Sequence, residues 1–286
     1  MQIVSTESIV VKTQDLGEGD RLVTFLTRDM GRVKGVVKGS RKLTSRGVGN
    51  FEPFSRGVMF FSRRTGSDLV SIRKMDPLPP YLYLQASYNK IVYAGYLAEL
   101  AGVSPWADEE SGRFFDLLLE ALDAICAAPR ERHLPLIRMR FEIRLLELLG
   151  LQPDWNTCQE CERELPAVGE GKPGATASGE YVLDVSRGGM LCPDCHAGPR
   201  KTTAGQVIRA ALPGQALAFL AGWRQGGSMA DLKPSQPTLE ALQEAVTAHV
   251  IHHLERTPRA LALLPALEEL EGSAQPSPPG EDKPPE

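Results

Sequence analysis

The sequence predicts an α+β chain of several domains: an N-terminal β-barrel, then an α-helical body into which a cysteine-bearing subdomain is inserted. Three observations predict it. Residues 1–76 hold five short runs rich in Val, Ile, Phe and Thr, separated by Gly, Asp and Asn signals. From residue 81 onward apolar side chains recur at the three-to-four spacing of buried helix faces. Two Cys-x-x-Cys pairs, Cys158/Cys161 and Cys192/Cys195, interrupt that helical pattern. At 286 residues the chain is long enough for about two domains with real cores.

The expected strands are Ile3–Thr13, Asp20–Arg28, Gly31–Gly39, Gly57–Arg63 and Asp68–Lys74. Five strands with a longer connection after the third suit a small closed barrel, with the oligonucleotide/oligosaccharide-binding (OB) barrel leading and an SH3-like barrel second. Strand count and period alone do not order the strands. Phe51, Phe54, Phe60 and Phe61 follow the third strand and read mostly as core, with a stacking role for a base as the alternative.

Charge is unevenly distributed. The formal net charge is -4, yet residues 1–80 carry 14 Lys and Arg against 8 Asp and Glu, a balance of +6 that leaves -10 for the rest. Arg28, Arg32, Lys34, Lys38, Arg41, Lys42 and Arg46 crowd one stretch, flanked by Arg21 and Arg56. With period two, Arg32, Lys34 and Lys38 fall on one face of a strand and Val33 and Val37 on the other. A Gly-Ser-Arg-Lys loop then carries further cations toward a curved anion, for which a polyphosphate backbone is the obvious partner. The bland alternative is a solvated loop. The candidate phosphate contacts are Arg32, Lys34, Lys38, Arg41, Lys42 and Arg46.

Pro77, Pro79 and Pro80 form a stiff joint after residue 76. Helices are expected over Tyr81–Ala101, Glu109–Cys126 and Leu134–Leu149, the last capped by Gly150 with Pro153 beyond it. Arg138, Arg140 and Arg144 lie on the third helix beside Glu142 and Glu147, so an ion-paired helix surface is favoured over a nucleic-acid face. Residues 77–154 are thus the first part of the helical body.

Residues 155–200 form the inserted subdomain. Glu180–Val185 and Gly188–Leu191 read as a hairpin that delivers Cys192 to Cys158 and Cys161. Two Cys-x-x-Cys knuckles suit a tetrahedral thiolate site for one structural Zn²⁺, with Cys158, Cys161, Cys192 and Cys195 as ligands. Cys192–His196 also spells a c-type haem attachment pattern, but no export signal precedes it. A thioredoxin-like pair lacks its βαβ setting, and an iron–sulfur cluster is a further alternative for four thiolates.

Short helices are expected at Thr203–Ala211 and Gly214–Trp223 and a long one at Thr238–Arg256, making 201–270 the second part of the body. His249 and His253 are four apart; with no third ligand in sight they read as helix-end histidines. Residues 271–286, acidic and Pro-rich, read as a disordered tail. The N-terminus alternates and has no apolar signal region, and no apolar run approaches the ~20 residues of a membrane span, so a cytoplasmic location is expected. A phosphate-cradling Gly-rich loop, His-Glu-x-x-His, Gly-x-Ser-x-Gly and a two-metal carboxylate cluster are all missing, which favours a binding protein over an enzyme.

Gly17-Glu-Gly-Asp-Arg-Leu-Val-Thr, Gly31-Arg-Val-Lys-Gly-Val-Val-Lys-Gly-Ser-Arg-Lys and Arg144-Leu-Leu-Glu-Leu-Leu-Gly-Leu-Gln-Pro, the last followed closely by Cys158-x-x-Cys161, carry a resemblance. In these motifs and their order, from about residue 1 to 260, the chain resembles the RecO family of bacterial recombination mediators. The resemblance implies an OB-fold, a helical domain and a zinc-finger subdomain. It implies binding of single- and double-stranded DNA, annealing of complementary strands, and action with RecR to load RecA onto strands coated by single-strand-binding protein. To the cytoplasmic location the resemblance adds association with the nucleoid. The rival reading from another class is a zinc-containing scaffold whose barrel binds peptide instead of DNA.

Overall fold

The computed structural model describes residues 3–39, 51–63, 66–81, 84, 87–104, 110–165, 179–197, 208–224 and 234–265. Arg41, Lys42 and Arg46 of the basic stretch, and the acidic segment 271–286, lie outside the described residues.

Five strands, β1 (Ile3–Leu16), β2 (Asp20–Thr27), β3 (Gly31–Val37), β4 (Arg56–Ser62) and β5 (Leu69–Pro77), close into a barrel in the order β1-β2-β3-β5-β4. Antiparallel pairing of β1 with β4, from Ile3 opposite Ser62 to Ile9 opposite Arg56, seals it. The last strand inserts between β3 and β4 and runs parallel to β3, Lys34 opposite Leu69. That crossing gives the OB-type order and decides between the two expected barrels. Alternation sorts β3 as its sequence suggests: Val33 and Val37 join Val10, Phe25, Met59, Phe61 and Ile72 inside, while Arg32 and Lys34 stay exposed outside. Gly35 lets Ile72 pack close where β3 and β5 meet, since a Cβ there would lie 2.5 Å from Ile72 Cδ1 and 2.7 Å from its Cγ1 and force that side chain to shift.

One irregularity organises the barrel's contact with the rest of the chain. A bulge between Val10 and Lys12 breaks the β1–β2 register. Val10 points inward, while Ile9, Val11 and, from β2, Leu26 turn outward into the core of the helical body. The returning chain closes on the bulge, Phe54 N–H donating to Val10 O and Val10 N–H to Ser55 O, both at 2.9 Å.

The body is built on α1 (Tyr88–Val103), α2 (Ser111–Ala127) and α3 (Leu134–Leu148). The first begins later than the expected Tyr81. Ser87, in extended backbone, caps it by accepting from Lys90 N–H. Gly150 ends α3 in the left-handed region at φ 67°. A four-stranded sheet follows, ordered β6 (Asp154–Cys158), β8 (Gly189–Leu191), β7 (Glu180–Asp184) and β9 (Arg209–Pro213), with α4 (Pro193–Ala197) after β8. The chain then forms α5 (Gly214–Arg224), α6 (Gln236–Leu254) and a 3₁₀ turn at Arg259–Leu263.

Of the helix expected over Thr203–Ala211, residues 203–207 lie outside the described residues, and the end from Arg209 is corrected to a strand, β9. Arg209–Pro213 pairs antiparallel with β7, Asp184 opposite Arg209 through Glu180 opposite Pro213. The open edge of β7 offers this short run ladder partners and a half-buried face for Ala210 and Leu212, which a helix of its own length lacks. The sheet therefore reaches beyond the 155–200 segment. Its Tyr181, Leu183, Met190 and Leu212 share one core with α3 and α6.

Arg138 differs from the ion-paired surface expected of it. It is buried, with Nε 3.1 Å from the fully buried carboxylate of Glu142. Tyr96 from α1 donates to the same carboxylate and Thr247 from α6 hydrogen-bonds Arg138, so three helices meet at one polar cluster. Burial and the adjacent Glu142 carboxylate hold the Tyr96 hydroxyl protonated, far above its ordinary range. The surface pairing holds for Arg144, whose Nη1 is 2.7 Å from Glu147 Oε2.

Candidate nucleic-acid interface and metal centre

Among the described residues, the structure splits the basic stretch into cations that build the fold and cations that meet no carboxylate. Arg21 is paired with Glu52 at 2.6 Å and Asp15 at 3.8 Å. Arg28 bridges the barrel and the body: its Nε is 2.9 Å from Glu7 Oε2, its Nη1 2.8 Å from Asp116 Oδ1 on α2, and its guanidinium lies 4.8 Å from the Phe115 ring centroid. Arg56 donates to the other oxygen of Glu7 through Nε at 2.8 Å. Burial works to raise the Glu7 carboxyl, but the Arg28 and Arg56 hydrogen bonds outweigh it and hold it below the usual range. Arg21, Arg28 and Arg56 are therefore committed to the architecture.

On β3, Arg32 is exposed and its Nη1 donates to Gly102 O, 2.6 Å away at the end of α1. Lys34 and Lys38 are exposed, and neither meets a carboxylate among the described residues. Registers extend this set in a way the sequence did not reveal. Thr24 stands opposite Lys12 on one side and Lys34 on the other. With strands ~4.8 Å apart, the two lysine stems rise about 10 Å from one another on the outward face. Lys12 was missed because only the bulge after Val10 brings it outward beside Thr24. Arg73, exposed at the β5 irregularity opposite Phe60 and Phe61, adds a cation beyond β3. Of the four phenylalanines, Phe51 and Phe61 are barrel core and Phe54 packs against the body. Phe60 is half-buried under Lys74, whose Nζ lies 4.4 Å from the ring centroid.

The second site is the cysteine cluster. Cys158 ends β6 and turns through a knuckle closed by Glu162 N–H to Cys158 O at 2.8 Å, with Glu162 at φ 58°. Cys192 leaves β8 and opens α4, which carries Cys195. The four sulfurs lie within 4.8 Å of one another, and Cys161 Sγ and Cys192 Sγ are 3.9 Å apart. Zinc–sulfur bonds of ~2.3 Å in a tetrahedron put sulfurs about 3.8 Å apart, and a disulfide needs about 2.05 Å, so the spacing fits ligands of one ion and not a bridge. Burial acts to raise the Cys158 thiol, but N–H groups of Cys192, Cys161 and Glu160 directed at it prevail and lower it to about 6. Cys195, hydrogen-bonded to the Cys192 sulfur and then to that of Cys161, is pushed up to about 12. Four thiolates this close repel one another without a cation among them. The cluster is suited to a thiophilic metal such as zinc.

His249 and His253 do not converge on a metal with any third ligand among the described residues. His249 is buried with Nε2 2.9 Å from Leu151 O, so it serves the packing of α6 on the end of α3.

An OB-type barrel whose exposed Lys34 and Lys38 meet no carboxylate among the described residues, docked on a helical body that carries a four-cysteine cluster able to hold a metal, defines a barrel-and-body protein. Comparison with known proteins gives the particular group. Residues 1–81 match the family model for the recombination protein O N-terminal region, and residues 85–262 match that for its C-terminal region. The chain belongs to the RecO family. It is 32% identical over 258 residues to a DNA repair protein RecO of Anaeromyxobacter dehalogenans strain 2CP-C, covering 90% of this chain and 93% of that protein. It is 31% identical over 280 residues to one of Roseiflexus sp. strain RS-1 (96% and 90%) and 30% identical over 265 residues to one of Desulforudis audaxviator (92% and 97%). Among the described residues no helix is long and apolar enough to cross a membrane.

Proposed function

We propose that this protein acts in DNA repair and homologous recombination by holding DNA on the outward face of its barrel. The observation that carries the reading is the row Lys12–Thr24–Lys34, continued by Lys38, on a barrel whose Arg21, Arg28 and Arg56 are matched by carboxylates of the protein itself. Lys34 and Lys38 contact phosphates of single- and double-stranded DNA, and Arg32, Arg41, Lys42 and Arg46 supply further phosphate contacts. Neutralising two strands at once lowers their repulsion long enough for complementary bases to pair, with no nucleotide hydrolysis. The protein is a mediator and not an enzyme. With RecR it helps load RecA onto strands coated by single-strand-binding protein, and it works in the cytoplasm at the nucleoid. One structural Zn²⁺ per chain, held by Cys158, Cys161, Cys192 and Cys195, would join β6 to β8 and fix the sheet against the body.

The test is binding of a single-stranded oligonucleotide across salt concentrations, followed by an annealing assay with complementary strands, with and without single-strand-binding protein. Four to six neutralised phosphates give a slope of log K against log salt of roughly -3 to -4. No salt-dependent binding, with a peptide ligand found instead, would transfer the barrel to the scaffold reading.

A further inference from the structure

We propose that the acidic segment 266–286 docks on the barrel's outward cationic face and competes there with nucleic-acid phosphates. The proposal rests on the functional reading above and names a regulator of the same site. Residues 266–286 carry Glu268, Glu269, Glu271, Glu281, Asp282 and Glu286 against the single Lys283, a net of -5. Half of the -10 that residues 81–286 carry is thus packed into their last 21 positions. The complementary charge is equally localised. Arg21, Arg28, Arg56 and Lys74 each have a carboxylate within the fold, while Lys34 and Lys38 have none among the described residues.

The point of departure is on the right flank. The 3₁₀ turn Arg259–Leu263 is pinned to α1 by Ala260 N–H, which donates to Glu99 Oε2 at 3.1 Å. Glu99 is three residues before Gly102, whose carbonyl holds Arg32, so both anchors share a face of α1 about 4.5 Å apart along its axis. Lys34 follows two residues later on β3, about 7 Å on. Twenty-one residues would span roughly 25 Å even at random-coil dimensions, and more at the extension that prolines favour, so length alone lets their carboxylates reach that face. Tethering places them at an effective concentration in the millimolar range, so a weak attraction is enough to occupy the face. DNA, with a far denser row of charge, displaces the segment. Competition of this kind discriminates against short or weakly charged anions.

Zero-length carbodiimide coupling of carboxylates to lysines in the full chain, mapped by mass spectrometry, tests the proposal. Links from 266–286 to Lys12, Lys34 or Lys38, formed within one chain and lost when a single-stranded oligonucleotide is added, are expected. In parallel, the full-length variant Glu268→Gln, Glu269→Gln, Glu271→Gln, Glu281→Gln, Asp282→Asn, Glu286→Gln binds the oligonucleotide several-fold tighter at low salt. The gain vanishes near 1 M salt, where the screening length is about 3 Å. Links only to other lysines, links only between chains, or unchanged affinity in the variant overturn the inference while leaving DNA binding standing. Links to the expected lysines that DNA does not displace, with no DNA binding, overturn the functional reading and leave the docking.

Discussion

Arg32 reaches from β3 to the end of α1, where its Nη1 donates to the Gly102 carbonyl at 2.6 Å. A cation placed against the last carbonyls of a helix meets the negative end of its dipole, so the outward face of the barrel is oriented by the body it rests on. Arg28 makes the parallel connection to α2 through Asp116. The cationic strand is therefore held by two arginines, and its lysines carry the exposed charge.

Lys34→Ala and Lys38→Ala should each lower the salt slope for single-stranded DNA by about 0.7, and Lys12→Ala by a similar amount. Arg21→Ala should leave the slope unchanged, because its charge is already matched by Glu52 and Asp15. Fluorescence anisotropy over a salt series reads all four. A slope lowered by Arg21→Ala and not by Lys34→Ala would move the site to another face.

Glu142→Ala should destabilise the body by about 3–5 kcal/mol, since it strands a buried guanidinium. Tyr96→Phe, which removes one partner of the same carboxylate, should cost about 1–2 kcal/mol. The two losses should add up to more than the double variant shows, because both act on one cluster. Urea denaturation followed by tryptophan emission measures each.

Elemental analysis should find close to one zinc per chain, and Cys192→Ser should lose it. The sheet shares its core with α3 and α6, so that variant should open α5 and α6 to proteolysis as well as the cysteine segment. The barrel has a separate core and should resist. Retention of the metal at full stoichiometry would remove Cys192 from the ligand set.

Burial, opposed by the Leu151 carbonyl, lowers His249 from 6.5 to about 4. The unfolded chain then binds the extra proton between these values, so the contribution of neutral His249 is whole above about pH 6.5 and is lost as pH falls toward 4. The loss is on the order of 3 kcal/mol. His249→Gln, which keeps an amide donor for Leu151, should shrink the drop in denaturation midpoint between about pH 7 and pH 5.5. An equal drop in both proteins would assign that pH dependence elsewhere.

Strand periodicity was legible wherever one face is buried and the other wet. β3 reads directly from Val33 and Val37 against Arg32 and Lys34, and the hairpin ending at Cys192 reads from its glycine turn and short apolar runs. Gly150 announced the end of α3. Thiol spacing identified all four members of the cysteine cluster before any geometry, because two residues three apart in a tight turn already share a ligand position. β9 did not read, because Arg209–Pro213 is too short to carry a period and became a strand only when the edge of β7 was available to pair with it.

By itself, then, the sequence determined the five strands, the helical body, the four thiols and the side of β3 on which its charges stand, since each follows from local spacing. Tertiary structure alone decided that β5 lies parallel to β3, that Lys12 joins Lys34 across Thr24, that Arg138 is buried, and that Arg21, Arg28 and Arg56 serve the fold. These outcomes depend on partners 20 to over 100 residues distant, such as Glu7 for Arg28 and Thr247 for Arg138. Whether a charge is neutralised or left for a ligand is set by which carboxylate arrives beside it, and no local pattern encodes that arrival.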